Sequence, residues 1–252
     1  MCRHIFLLIL LLSSPLFAQG DLVVLAQAGD REAQYQLGLQ FDLGENGQQN
    51  LTEAARWYQA AAEQGHIQAQ YNLAQLYRLG EGVEQDLIQA HAWFLQAAED
   101  GNDPQAQYVL GDMYRFGEGL VANPYEAFRW YILAAEQTLP AAEYRVGLWL
   151  AQGIGAPEDD RAALRWLRKA ASQAVPEAFM TLAGMYERGE GISPDLQQAY
   201  LWYAAAAELD MRQAERERDR LAADMSVRQL ESLQLRLSTC TASRYQQCEL
   251  FQ

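Results

Sequence analysis

Side chains able to act as a nucleophile, a proton carrier or a metal ligand are sparse in this 252-residue chain. Its three histidines are His4, His66 and His91, its three cysteines are Cys2, Cys240 and Cys248, and its single lysine is Lys169. A zinc peptidase would need a His-Glu-x-x-His helix, a serine hydrolase a Gly-x-Ser-x-Gly turn, and a penicillin-recognising enzyme a serine three residues before a lysine. None of these occurs. The chain is therefore not expected to be an enzyme, and no cofactor or metal is expected. What recurs instead is tryptophan: Trp57, Trp93, Trp130, Trp166 and Trp202 stand 36, 37, 36 and 36 residues apart. A period of that size marks a stacked array of small units, and it turns the question from which reaction to which partner.

The elements that carry these tryptophans follow from the phrase around each one. A first helix opens on Ala-Gln-Tyr-x-Leu-Gly or a variant, at 33–38, 69–74, 106–111, 142–147 and more loosely 178–183. Leu37, Leu73, Leu110, Val146 and Leu182 lie four residues before Phe41, Tyr77, Tyr114, Leu150 and Tyr186, so each pair shares one helix face. Gly44, Gly80, Gly117, Gly153 and Gly189 stop that helix, and a second glycine follows at 82, 119, 155 and 191. No strand precedes them and no Gly-Lys-Ser follows, so they are turns and not a phosphate cradle.

A second helix starts seven residues before each tryptophan at Asn50, Asp86, Asn123, Asp159 and Asp195, all preferred N-caps. Asn50 with Glu53, and Asn123 with Pro124 and Glu126, have capping-box spacing. An alanine three before each tryptophan and an alanine pair after it form a small-residue face, against which the indole is expected to be the large buried body. Asp21 to Gly29 reads as the second half of a unit, and the pattern fades after residue 210, where Ser226 and Gln229 start one more helix running to about Leu237.

At the N-terminus, a basic head at Arg3 and His4, an apolar run from Ile5 to Leu12 and a small-residue exit at Ala18 have the form of a secretory signal peptide, 1–18. The run is about half the roughly 20 residues needed to cross a bilayer, so no stable membrane anchor is expected. Gln19 and Gly20 follow in place of a lipoprotein cysteine. Cleavage near Ala18 and a periplasmic or secreted location are expected. The formal charge of −14, becoming about −15 on losing Arg3, excludes nucleic acid as a partner. In an oxidising compartment Cys240 and Cys248 are expected to form a local disulfide; two free thiols in a frayed terminus are the alternative.

The pattern Ala-x-x-x-Leu-Gly-x-x-Tyr, Gly-x-Gly-Val, Asp, Ala-x-x-Trp-x-x-x-Ala-Ala resembles the Sel1-like repeats, a branch of the tetratricopeptide superfamily. The resemblance implies an all-α fold: a right-handed α-solenoid of about five helix-turn-helix repeats over 19–210, with capping helices and tail at 211–252. It also implies a protein–protein interaction scaffold or regulator whose partner is a protein of the cell envelope. A second reading is a hydrolase or β-lactam-binding protein of the cysteine-rich Sel1-like type, but those relatives carry a cysteine pair in each repeat and this chain does not.

In such stacks the first helices line a concave groove. By phase, the lining set is Tyr35, Tyr71, Tyr108 and Tyr144 with Gln75, Arg78, Asp112 and Arg115. Aromatic and arginine side chains at such a place suit peptide recognition. The same tyrosines could equally be half-buried repeat positions with hydrogen-bonded hydroxyls.

Overall fold

A computed structural model of the chain describes residues 19–45 and 47–242. Among them are thirteen helices and no strand. The chain divides into two compact units, residues 1–97 and 98–252. In the first lie α1 (Gln19–Gln27), α2 (Arg31–Leu43), α3 (Leu51–Ala62), α4 (Ile67–Leu79) and most of α5 (Leu87–Glu99). The second holds α6 (Pro104–Phe116), α7 (Pro124–Glu136), α8 (Pro140–Gln152), α9 (Asp160–Ser172), α10 (Pro176–Arg188), α11 (Leu196–Ala207), α12 (Arg212–Ala222) and α13 (Val227–Ala242). In each unit helices pack on chain neighbours, as α2 does on α3 and α8 on α9, and α13 packs back on α11. The segment 1–18 and Cys248 lie outside the described residues, and with them the expected signal peptide and the expected Cys240–Cys248 bridge.

Helix ends fall where the cap residues put them. Gly44, Gly80, Gly117, Gly153 and Gly189 are all left-handed, and each N–H returns to a carbonyl four residues back. Side chains of Asn50, Asp86, Asn123, Asp159 and Asp195 accept from the first free N–H groups of the second helices. The backbone N–H of each of these five residues also donates to the first helix of its own repeat, at Phe41, Tyr77, Tyr114, Leu150 and Tyr186. That second bond explains why the expected capping boxes close on one side only. The Asn50 and Asn123 N–H groups are already taken, so Glu53 and Glu126 turn to Arg56 and Arg129 instead. A complete box forms at Ser226, which exchanges bonds with Gln229 and opens α13. This helix runs five residues past Leu237, because Leu233 and Cys240 stay buried on its inner face.

The core departs from expectation at the indoles. Trp202 is 0% exposed and Trp130 3%, but Trp93 and Trp166 are only half-buried. The large side chain buried in every repeat is instead the one after the tryptophan: Tyr58, Phe94, Tyr131, Leu167 and Tyr203. The small residue after the repeat leucine makes room for it. A Cβ on Gly38 would lie 2.7 Å from the Tyr58 ring and one on Gly147 2.7 Å from Leu167 Cγ, while Gly111 sits directly against the Tyr131 ring. One methyl group there overpacks the hairpin.

Candidate protein-binding site

The predicted lining residues fall on the first helices in each unit. In the first, Tyr35 stacks on His66 at 4.3 Å between ring centres, Tyr71 meets Phe94 edge-on at 5.5 Å, and Gln75 Nε2 donates to the Tyr71 hydroxyl at 3.0 Å. Arg78 is half-buried at the end of α4. In the second, Tyr108 packs on Tyr131 at 5.4 Å, Arg115 lies over the Phe116 ring at 4.5 Å, and Tyr144 is half-buried on α8.

Asp112 is not a free acceptor: the Tyr131 hydroxyl donates to it at 2.7 Å. The same bond recurs from Tyr58 to Asp42 and from Tyr203 to Glu187. Burial pushes the Tyr58 and Tyr131 hydroxyls well above the usual tyrosine range and Tyr203 up to about 12, so all three remain donors. The structure adds Arg145, which sequence phasing passed over. It reaches from α8 to the Tyr108 hydroxyl at 3.5 Å and lies over the Tyr131 ring, with no ion pair to any carboxylate among the described residues. Tyr108, Asp112, Tyr131 and Arg145 thus make one connected polar and aromatic patch.

His66 is a buried N-cap. Its Nδ1 accepts from the Ala69 N–H at 3.2 Å and its Nε2 meets Glu32 at 3.0 Å, so the ring is fully used in structure. Among the described residues no group of three His, Cys, Asp or Glu side chains could hold a metal ion, and no helix is long and apolar enough to cross a membrane.

A buried polar ladder joins successive helices. Gln34, Gln70 and Gln107 each donate to the last turn of the preceding helix, at the Ala26, Ala62 and Ala98 carbonyls. Gln34 and Gln107 also accept from Gln64 and Gln137, thirty residues on. In the fourth repeat the rung is Glu143, 2% exposed, which accepts from Gln173 at 2.7 Å but as a carboxylate has no proton to donate. Burial raises its pKa above the usual carboxylate range, against the opposing pull of Gln173 and Lys169. The raised value means that stability is whole while both folded and unfolded states are protonated and falls as pH rises through the folded value. Glu143→Gln restores the donor of the other rungs. It should therefore stabilise the chain by about 1 kcal/mol at pH 7.5. The gain should vanish below about 4.5, the ordinary glutamate value. Urea melts of both proteins at the two pH values measure this.

Helices that pack on their chain neighbours within each unit, capped and stopped at matching positions, define a helical-hairpin repeat protein with polar and aromatic side chains on its first helices. A family model described as Sel1 repeat matches residues 31–66, 67–102, 104–139, 140–175 and 180–211, leaving Asp103 as the single extra residue between the second and third matches. The chain belongs to the Sel1 repeat family. Members of this family are in general protein-interaction scaffolds.

Solved structures similar to it include the following two. A protective antigen present in uropathogenic Escherichia coli strains, displaying an SLR fold, is 33% identical over 89% of this chain and 48% of its own, with a TM-score of 0.76. A Sel1 repeat protein from Oxalobacter formigenes is 32% identical over 75% of this chain and 77% of its own, with a TM-score of 0.70. The chain spans about half the length of the first. No curated protein matches it.

Proposed function

We propose that this chain is an exported interaction module that holds a segment of an envelope protein along its first helices. The observation that carries this reading is the patch of Tyr108, Asp112, Tyr131 and Arg145. A face built only to pack would carry apolar side chains there, yet it holds oriented hydroxyls and a half-buried guanidinium that lies in the field of Asp112 without a direct ion pair among the described residues. Aromatic and arginine side chains fixed in place lose little entropy on binding and anchor protein interfaces. Export rests on the sequence of residues 1–18, and the expected bridge between Cys240 and Cys248 belongs to the same reading.

A photo-crosslinking amino acid placed at Tyr71 or Tyr108 should yield a discrete adduct in intact cells, and one at Arg228 on α13 should not. The adduct should be released by osmotic shock, with the chain starting at Gln19. Arg78→Glu combined with Arg115→Glu should lower adduct yield about tenfold, equivalent to about 1.4 kcal/mol of affinity, with helicity unchanged. Equal adduct from Arg228, or full yield from the double variant, would remove the assignment of this face.

A further inference from the structure

The outer face of α9 carries a charge pattern that no other described helix shares. Asp160, Arg161, Arg165, Arg168 and Lys169 leave this helix strongly positive in a chain of net charge −14. Arg161, Arg165 and Lys169 follow one another at four-residue steps, so they form a single row on one side of the helix, and all three are exposed. None of them forms an ion pair among the described residues. The nearest engagement is Lys169, whose Nζ lies 3.9 Å above the Trp166 ring and whose field reaches the buried Glu143.

The absence of partners in this row has a local cause. In the first and third repeats the arginine before the tryptophan is neutralised by a glutamate one turn earlier, Arg56 by Glu53 and Arg129 by Glu126. In the fourth repeat that place holds Ala162, so Arg165 stands free. Packing does not need these three cations, because the helix already buries Ala162, Ala163, Leu164, Leu167, Ala170 and Ala171 on its other side.

We infer that the outer face of α9 is a second interaction surface, separate from the first-helix face, that takes an acidic polypeptide segment. Charge complementarity and spacing both fit. The row repeats about every 6 Å along the helix, and alternate side chains of an extended chain repeat at about 6.6 Å, so successive carboxylates can meet successive cations. An anionic bilayer fits less well. Amphipathic helices bind membranes by inserting an apolar face, and every fully apolar face of α9 is committed to the core.

The test uses the full mature chain and a fluorescent poly-glutamate peptide followed by anisotropy. Saturable binding that weakens as salt is raised is expected. Arg161→Glu, Arg165→Glu and Lys169→Glu together should lower affinity at least tenfold, whereas Arg228→Glu on α13 should leave it unchanged. Circular dichroism checks that each variant keeps its helicity. The inference fails if the triple variant binds the peptide like the parent. It also fails if the parent shows no saturable binding, or if it prefers phosphatidylglycerol vesicles to the peptide through these same residues.

Discussion

Gly155→Ala should destabilise the protein by about 3 kcal/mol or more, whereas Gly153→Ala, two residues away, should cost only about 1 kcal/mol. Both glycines are left-handed, with φ of 70° and 63°, so alanine brings the same backbone penalty of about 1–2 kcal/mol at each. Their surroundings differ. A Cβ on Gly153 meets nothing closer than 3.6 Å. A Cβ on Gly155 would press into the Pro124 carbonyl oxygen and lie 2.7 Å from the Phe128 Cβ, both in the first two turns of α7, which belongs to the preceding repeat. Backbone cannot swing aside as a flexible side chain can, so the second glycine sets how closely repeats stack. Gly82 against Leu51, and Gly191 against Asp160, repeat the contact. Urea denaturation of the two variants side by side separates the terms, and equal midpoints would show that the stacking contact carries no cost. Because neighbouring repeats stabilise one another, a broadened transition in Gly155→Ala is the expected accompaniment.

The same comparison marks what could be read from residues alone. Cap positions were legible because capping is local chemistry: Asn50 or Asp195 needs only its own next three N–H groups to do its work. The glycine that stops each first helix was legible for the same reason. The second glycine was seen, but its task was not, since the atoms that crowd Gly155 lie about thirty residues earlier in the chain. The buried rung at Gln34, Gln70 and Gln107 looked like an ordinary polar helix position, because nothing in the sequence shows which carbonyl a glutamine will face.

Among the candidate lining residues, phase placed Tyr71, Gln75, Arg78, Tyr108, Arg115 and Tyr144 on the first helices, where they stand. It could not foresee that Tyr131, from a second helix, would claim Asp112, or that Arg145 would reach back to Tyr108. Those bonds depend on side chains meeting across helices, and a repeat period fixes only positions within one.

Trp202→Ala should cost about 3–5 kcal/mol, while Trp166→Ala in the repeat before it should cost about 1 kcal/mol and Leu167→Ala beside it about 2–5 kcal/mol. A sequence period treats the five tryptophans as equals, but adjacent residues on a helix point about 100° apart, and which of two large neighbours is covered depends on how many helices surround them. In α9 the packing partners are α8 and α10, so Leu167 is 0% exposed while the indole of Trp166 keeps one face under Lys169. In α11 the partners are α10, α12 and α13. The terminal helices close over the side that α9 leaves open, and Tyr200 through Ala206 are all buried. Trp202 there packs its ring against Phe179 at 5.7 Å and Tyr186 at 6.5 Å. Its removal leaves a cavity walled by rigid rings that cannot collapse to fill it, whereas water already reaches Trp166. Urea midpoints in the order Trp202→Ala below Leu167→Ala below Trp166→Ala are expected; a Trp166→Ala loss as large as that of Trp202→Ala would contradict this account of the core.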